Sequence, residues 1–310
     1  MNIDRQAAMN SMDKKGQIQN MDMLQIDSLC KKLGNFQFNN ISFSLPPGYL
    51  CGLIGPNGAG KTTLLHMILG LYRVDTGSIL VDGMDYQTKE KQIHDRIGIA
   101  LAEDLMNPSM TLIQNGDWYG KYYSQYCHAA LSHYLVRFGL DEKRRFGSLS
   151  KGEKLKCQFA FALSHHASLL LLDEPAGNFD PGFREQFLQM IREFVQDGTG
   201  SVILATHITQ DLDRMADYIL YLENGNCVFA GDIESLHERY RMVSGEAYKI
   251  KLLPKEKFIY LEENQYGAKA LVRHSRLNRY DASLKIAYPT IEELMYFYAR
   301  RKNKNKKGLL

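Results

Sequence analysis

The sequence predicts an α/β domain with a mostly parallel core sheet, followed by a small α+β appendage. Two observations carry this expectation. The apolar runs in "YLCGLIG", "ASLLLLDE" and "SVILATH" lack polar alternation, as strands covered on both faces do. Stretches of helix formers separate these runs, which is the β-α alternation of a parallel sheet. In chain order, residues 1–20 are polar and aperiodic, and a disordered N-terminal extension is expected there. "ISFSL" (Ile41–Leu45) alternates like a half-buried strand, and "PPG" turns the chain into "YLCGLIG". "GSILVDG" and "RIGIAL" read as further short strands, and an antiparallel β subdomain is expected beside the core. Residues 111–163 are rich in Tyr, His, Lys and helix formers, and predict a helical insertion. A central strand "ASLLLLDE", a helix over Phe183–Val195 and a strand over Ser201–Thr206 follow. "YLENGNCVF" carries an Asn-Gly pair between apolar runs, a hairpin signal.

Residues 21–240 are thus expected to form the main domain and 241–310 an accessory region. Within the latter, "AYKIKLLP", "AKALVRH" and "ASLKIAYP" read as short strands. "TIEELMYFYARRK" places Ile291, Leu294, Met295 and Tyr298 on one helical face. The basic run "RRKNKNKK" (Arg300–Lys307) is expected to be a solvated, disordered tail, with attraction to anionic lipid as the sharper alternative.

Composition narrows the function classes. The chain has 310 residues, 45% hydrophobic and 24% charged, which suits a globular protein with a real core. A net charge of only +3 argues against nucleic acid as a partner. The five cysteines are odd in number and scattered, with no C-x-x-C pair, so neither a disulfide framework nor a zinc site is expected. Buried, inert thiols in a reducing cytoplasm fit them best. No apolar run reaches the roughly 18–20 residues that span a bilayer, so any membrane role needs a second chain.

Chemistry concentrates at four places. "GPNGAGKTT" fits G-x-x-x-x-G-K-[ST] directly after an apolar strand and before a helix. There Gly55, Pro56, Asn57, Gly58, Ala59, Gly60, Lys61, Thr62 and Thr63 form a candidate phosphate-binding loop. Its glycines let backbone N–H groups turn toward phosphate, Lys61 adds charge, and Thr62 offers a hydroxyl to Mg²⁺. Asp173 and Glu174 end the "LLLLDE" strand, where ligands of open parallel sheets bind. Asp173 suits Mg²⁺ held through water, and Glu174 suits polarising an attacking water. His207 follows "SVILATH" and suits a hydrogen bond to a terminal phosphate. Finally, "LSKGE" (Leu149–Glu153) reads by itself as a polar turn that caps a helix.

In this order, the phosphate loop, LSKGE, the "LLLLDE" strand and His207 resemble the ATP-binding subunits of ABC transporters, over roughly Leu24 to Asp232. The resemblance implies a P-loop NTPase fold, ATP and Mg²⁺ as ligands, and ATP hydrolysis. It also implies two ATPase subunits joined head to tail, as homodimer or heterodimer. Ser150, Lys151, Gly152 and Glu153 then form the signature that meets the phosphates bound to the other subunit. Asp180, in "AGNFDP", matches the acid that links the two sites. Three departures stand out. Where relatives carry Gln after the "RIGIAL" strand, this chain has Ala102, then Glu103, a candidate replacement. Leu33 holds the place of the adenine-stacking aromatic, with Phe36 nearby. The signature reads LSKGE in place of LSGGQ. These features, with "PTIEELMYFY", are most similar to bacterial ABC-2-type exporters. The partner implied is a separate membrane permease, and the place implied is the inner face of the cell membrane. The alternative is a soluble single-unit ABC ATPase acting on a cytosolic assembly complex.

Overall fold

The computed structural model describes residues 21–274 and 280–307. The extension expected over residues 1–20 lies outside them. The chain divides into two compact units. The first runs to His207 and resumes over Asp217–Ala230, and the second comprises Ile208–Ala216 and the chain from Gly231 onward.

Along the first unit lie β1 (Leu24–Leu33), β2 (Phe36–Leu45), β3 (Leu50–Ile54), α1 (Lys61–Ile68), β4 (Thr76–Val81) and β5 (Met84–Asp85). Then come α2 (Tyr86–His94), β6 (Ile97–Ala100), α3 (Leu112–Gly120), α4 (His128–Arg137) and α5 (Lys151–Ser164). Last are β7 (Leu169–Asp173), α6 (Pro181–Gln196), β8 (Ser201–Ala205), β9 (Tyr218–Glu223) and β10 (Asn226–Asp232). One ten-stranded sheet takes the order β5-β4-β1-β2-β10-β9-β3-β8-β7-β6. Its half from β9 to β6 is parallel, and its β5-β4-β1-β2 end is antiparallel.

Burial explains the division. Every residue of β3, β7 and β8 is buried, so these apolar strands are covered on both faces. In β1, buried Leu24 and Ile26 alternate with exposed Gln25 and Asp27, the mark of a strand with one wet face. Each fully buried Leu contributes about 1.5–3 kcal/mol of apolar transfer. The register decides where function sits. Leu53 and Asp173 both pair with Ala205, so β3, β7 and β8 end at one level. In the insertion α5 packs on α4 and on β6. Rings of Phe138, Phe159, Phe183 and Phe187 pack together along α4, α5 and α6.

The second unit holds α7 (Thr209–Met215), α8 (Ile233–Arg239), β11 (Tyr240–Gly245), α9 (Ala247–Lys251), β12 (Phe258–Asn264), β13 (Gly267–Arg273), β14 (Lys285–Ala287) and α10 (Ile291–Lys307). Its antiparallel sheet runs β12-β13-β11-β14. Three expectations are corrected here. The start of "AYKIKLLP" is the helix α9, because a five-residue segment is too short for its periodicity to separate helix from strand. The buried face of α10 holds Ile291, Leu294, Phe297 and Tyr298, with Met295 only half-buried. The basic run is no disordered tail, since α10 continues through Lys307. Thr290 and Glu293 form a capping box at its start. The Ile291 N–H donates to Asp213 of α7 at 2.9 Å, which ties that excursion of the chain to this unit.

Candidate functional site

The phosphate loop spans the gap between β3 and α1. Gly60 is the N-cap of α1 at φ 106°, and no side chain caps the helix, so its first amides stay open to an anion. A Cβ at Gly60 would lie 2.6 Å from Phe38 and 2.7 Å from Phe36. A Cβ at Gly55 (φ 151°) would lie 2.2 Å from the Leu222 carbonyl. Both positions therefore demand glycine for space as well as conformation. The hairpin turn between β9 and β10 braces the loop from outside, with Gly225 N–H donating to the Ala59 carbonyl at 3.2 Å. Lys61 Nζ donates to the Gly55 carbonyl at 2.8 Å and to that of Pro56 at 3.5 Å, so its charge is held over the loop.

At the ends of β7 and β8 the two acids and the histidine take separate places. Asp173 is buried and accepts a 2.6 Å hydrogen bond from Thr62 Oγ1. A hydroxyl and a carboxylate so close are hard oxygen donors of the kind Mg²⁺ takes, so this pair fits that ion. Glu174 has left the strand and sits in the left-handed region at φ 49°. Its N–H donates to the Ala205 carbonyl at 2.8 Å, which holds the strained residue in place. Glu174 Oε2 lies 2.5 Å from His207 Nδ1 and also accepts from the His207 N–H at 3.3 Å. Lys61, Thr62, Asp173, Glu174 and His207 thus gather at one edge of the sheet.

The signature turn is built in the helical insertion. Ser150 is the N-cap of α5 in a reciprocal box with Glu153. Ser150 Oγ accepts from the Glu153 N–H at 3.3 Å, and Glu153 Oε2 accepts from the Ser150 N–H at 2.8 Å. The serine thereby acts as acceptor inside the box while its O–H can still donate outward. Arg144 grips Glu153 at 2.5 Å and also donates to the Ser148 carbonyl. The arginine, with the Ser150 amide, holds the Glu153 carboxyl below its ordinary range. Gly152 is buried and Lys151 exposed. Asp180 caps α6 by accepting from the Phe183 N–H at 3.0 Å. That bond, with Lys156 at 3.4 Å, lowers its pKa.

At the loop after β6, Ala102 and Glu103 are exposed. Buried Gln158 of α5 clamps this loop, accepting from the Leu101 N–H at 2.9 Å and donating to the Glu103 carbonyl at 2.8 Å. Lys154 pairs with Asp104 at 2.6 Å. Beside the loop, Leu105, Met106, Tyr119, Tyr122, Tyr123 and Phe161 line a cleft of about 370 Å³. Phe36, at the edge of the phosphate loop, meets Phe38 edge-to-face at 5.0 Å, whereas Leu33 ends β1. Sequence reasoning missed Arg144, Gln158, His66 and the brace at Gly225. Only the capping-box spacing from Ser150 to Glu153 offered a local signal for any of this network. Cys51 and Cys157 are buried, and burial raises both thiols, that of Cys157 to about 12.

Comparison with known proteins fits this geometry. The model of the ABC transporter family matches residues 38–177. The ABC transporter ATP-binding protein NatA of Bacillus subtilis is 30% identical over 208 residues, 65% of this chain and 84% of that one. The Nod factor export ATP-binding protein I of Burkholderia lata is 32% identical over 205 residues, 64% and 67% of the two chains. Among solved structures, an ATP-binding subunit of an ABC transporter superposes with a TM-score of 0.64 at 23% identity, over 69% of this chain and 92% of that one.

Proposed function

The chain belongs to the family of ABC transporter ATP-binding proteins, and from that premise we propose how its residues divide the work. It is the ATP-binding and ATP-hydrolysing subunit that powers a separate permease. The phosphates of ATP occupy the loop from Gly55 to Thr63, and Lys61 exchanges its carbonyl partners for phosphate oxygens. Thr62 and Asp173 would hold Mg²⁺, the latter through water, and the ion would supply charge neutralisation at the phosphates. Glu174 orients and deprotonates the attacking water, and His207 turns its second ring nitrogen to the terminal phosphate. Phe36 stacks on the adenine. Ser150, Lys151, Gly152 and Glu153 meet the terminal phosphate of a second subunit, a copy of this chain or a related ATPase, and Asp180 links the two sites. Glu103 stands for the missing glutamine beside Ala102.

The observation that carries this reading is the 2.6 Å bond between Thr62 and Asp173 at the shared edge of β3, β7 and β8. The permease takes the aromatic cleft beside the loop at residues 101–108, and the complex sits at the inner face of the membrane. Among the described residues no helix is long and apolar enough to cross it. The likeness to the Nod factor export protein favours an exporter. The second unit, Ile208–Ala216 with the chain from Gly231 onward, is the accessory region and supports dimerisation. Phosphate release by the purified chain tests the whole. Wild type turns over, whereas Glu174→Gln binds ATP, loses about 10²–10⁴-fold in rate, and sediments as an ATP-bound dimer. A monomer at saturating ATP would sink the two-subunit site.

A further inference from the structure

His66 lies on α1 one turn beyond Thr62, and residues four apart share a helical face. Its side chain is buried, and Nε2 has no hydrogen-bond partner among the described residues. A buried nitrogen left unpaired costs about 1–3 kcal/mol, so its neighbour matters. That neighbour is Glu103, whose Oε1 stands 3.6 Å away, just beyond hydrogen-bond reach. Asp104, the next acid in the loop, is paired with Lys154, and the Tyr72 ring meets the imidazole edge-on at 5.6 Å. The backbone of Glu103 is fixed by Gln158, while its side chain is 59% exposed and so able to swing.

We propose that His66 is a positioning residue that holds the Glu103 carboxylate against the helix following the phosphate loop. A small rotation of Glu103 closes the 3.6 Å gap into an Nε2–H···Oε1 bond. The bond joins the phosphate-loop helix to the loop that lines the aromatic cleft. It ties the Glu103 carboxylate to the same helix whose first turn carries Thr62. His66 acts only through Glu103. The proposal rests on reading the site as a hydrolytic ATP site.

The test uses the full chain with His66→Ala, His66→Gln, Glu103→Ala and the double alanine variant. Expected are kcat losses of about tenfold for each single alanine with KM nearly unchanged, and no further loss in the double variant. His66→Gln, which keeps a donor, is expected to restore most of kcat. A structural role of the buried ring would not respond to the exposed Glu103, nor be mended by glutamine. Independent of turnover, Glu103→Ala is expected to shift the His66 ring signals in ¹H–¹⁵N spectra, identified by their loss in His66→Gln. Multiplying single effects, a glutamine variant as impaired as the alanine, or ring signals indifferent to Glu103 would each overturn the proposal. A wild type that releases no phosphate would instead overturn the hydrolytic reading, and the spectra would still decide the contact.

Discussion

Replacing Glu174 with glycine is expected to stabilise the fold relative to replacing it with alanine, although both changes abolish turnover. The residue sits at φ 49°, a conformation that a Cβ disfavours. Both substitutions remove the same carboxylate and the same 2.5 Å contact to His207, so their difference isolates the backbone. Alanine held in the left-handed region costs about 1–2 kcal/mol. Glycine escapes that cost but loses about 0.5–1 kcal/mol through the greater freedom of its unfolded chain. The net expectation is about 0.5–1 kcal/mol in favour of glycine, or about 1–4 °C in melting temperature for a domain of this size. Calorimetry without nucleotide, backed by guanidinium midpoints, measures it. An alanine variant as stable as the glycine variant would refute the strain argument, because the backbone would then bear no stored energy at the site.

Gln158→Ala removes one buried and one part-buried hydrogen bond and leaves the Leu101 N–H bare, so a loss of about 1–3 kcal/mol is expected in guanidinium unfolding. Ser150→Arg is expected to leave ATP affinity intact by calorimetry while abolishing phosphate release, since the turn lies in the insertion, away from the phosphate loop. The signature turn should also respond to acid. Glu153 has its pKa lowered by Arg144 and the Ser150 amide, so its stabilising share is complete above the ordinary value of 4.5 and fades as pH falls through the lower folded value. Arg144→Ala should move the Glu153 carboxyl titration, followed by ¹³C NMR, back up toward 4.5.

Much of the first unit was legible because its signals are local. Residues Leu169–Leu172 and Val202–Ala205 are apolar throughout, and only strands buried on both faces satisfy such runs. The second unit was less legible. Its strands β11 and β12 carry mixed burial, and α9 buries Ile250 alone, so neither period stands out. The start of α10 was announced by its apolar spacing, whereas its length through Lys307 was not, because a basic run reads equally as solvated coil.

The sequence by itself determined the parallel core, the glycine-rich turn over Gly55–Thr63 and the order of Lys61, Ser150, Asp173, Glu174 and His207, since each is carried by a short local pattern. Only the tertiary structure decided which side chains meet. The shared register at Ala205 brings Thr62 to Asp173 and Glu174 to His207. Packing of α5 on β6 sets Gln158 against the loop at Glu103, and packing around α1 leaves His66 facing that same residue. These contacts join positions from about thirty to over a hundred apart, where no local pattern constrains the partner and only the packed chain selects it.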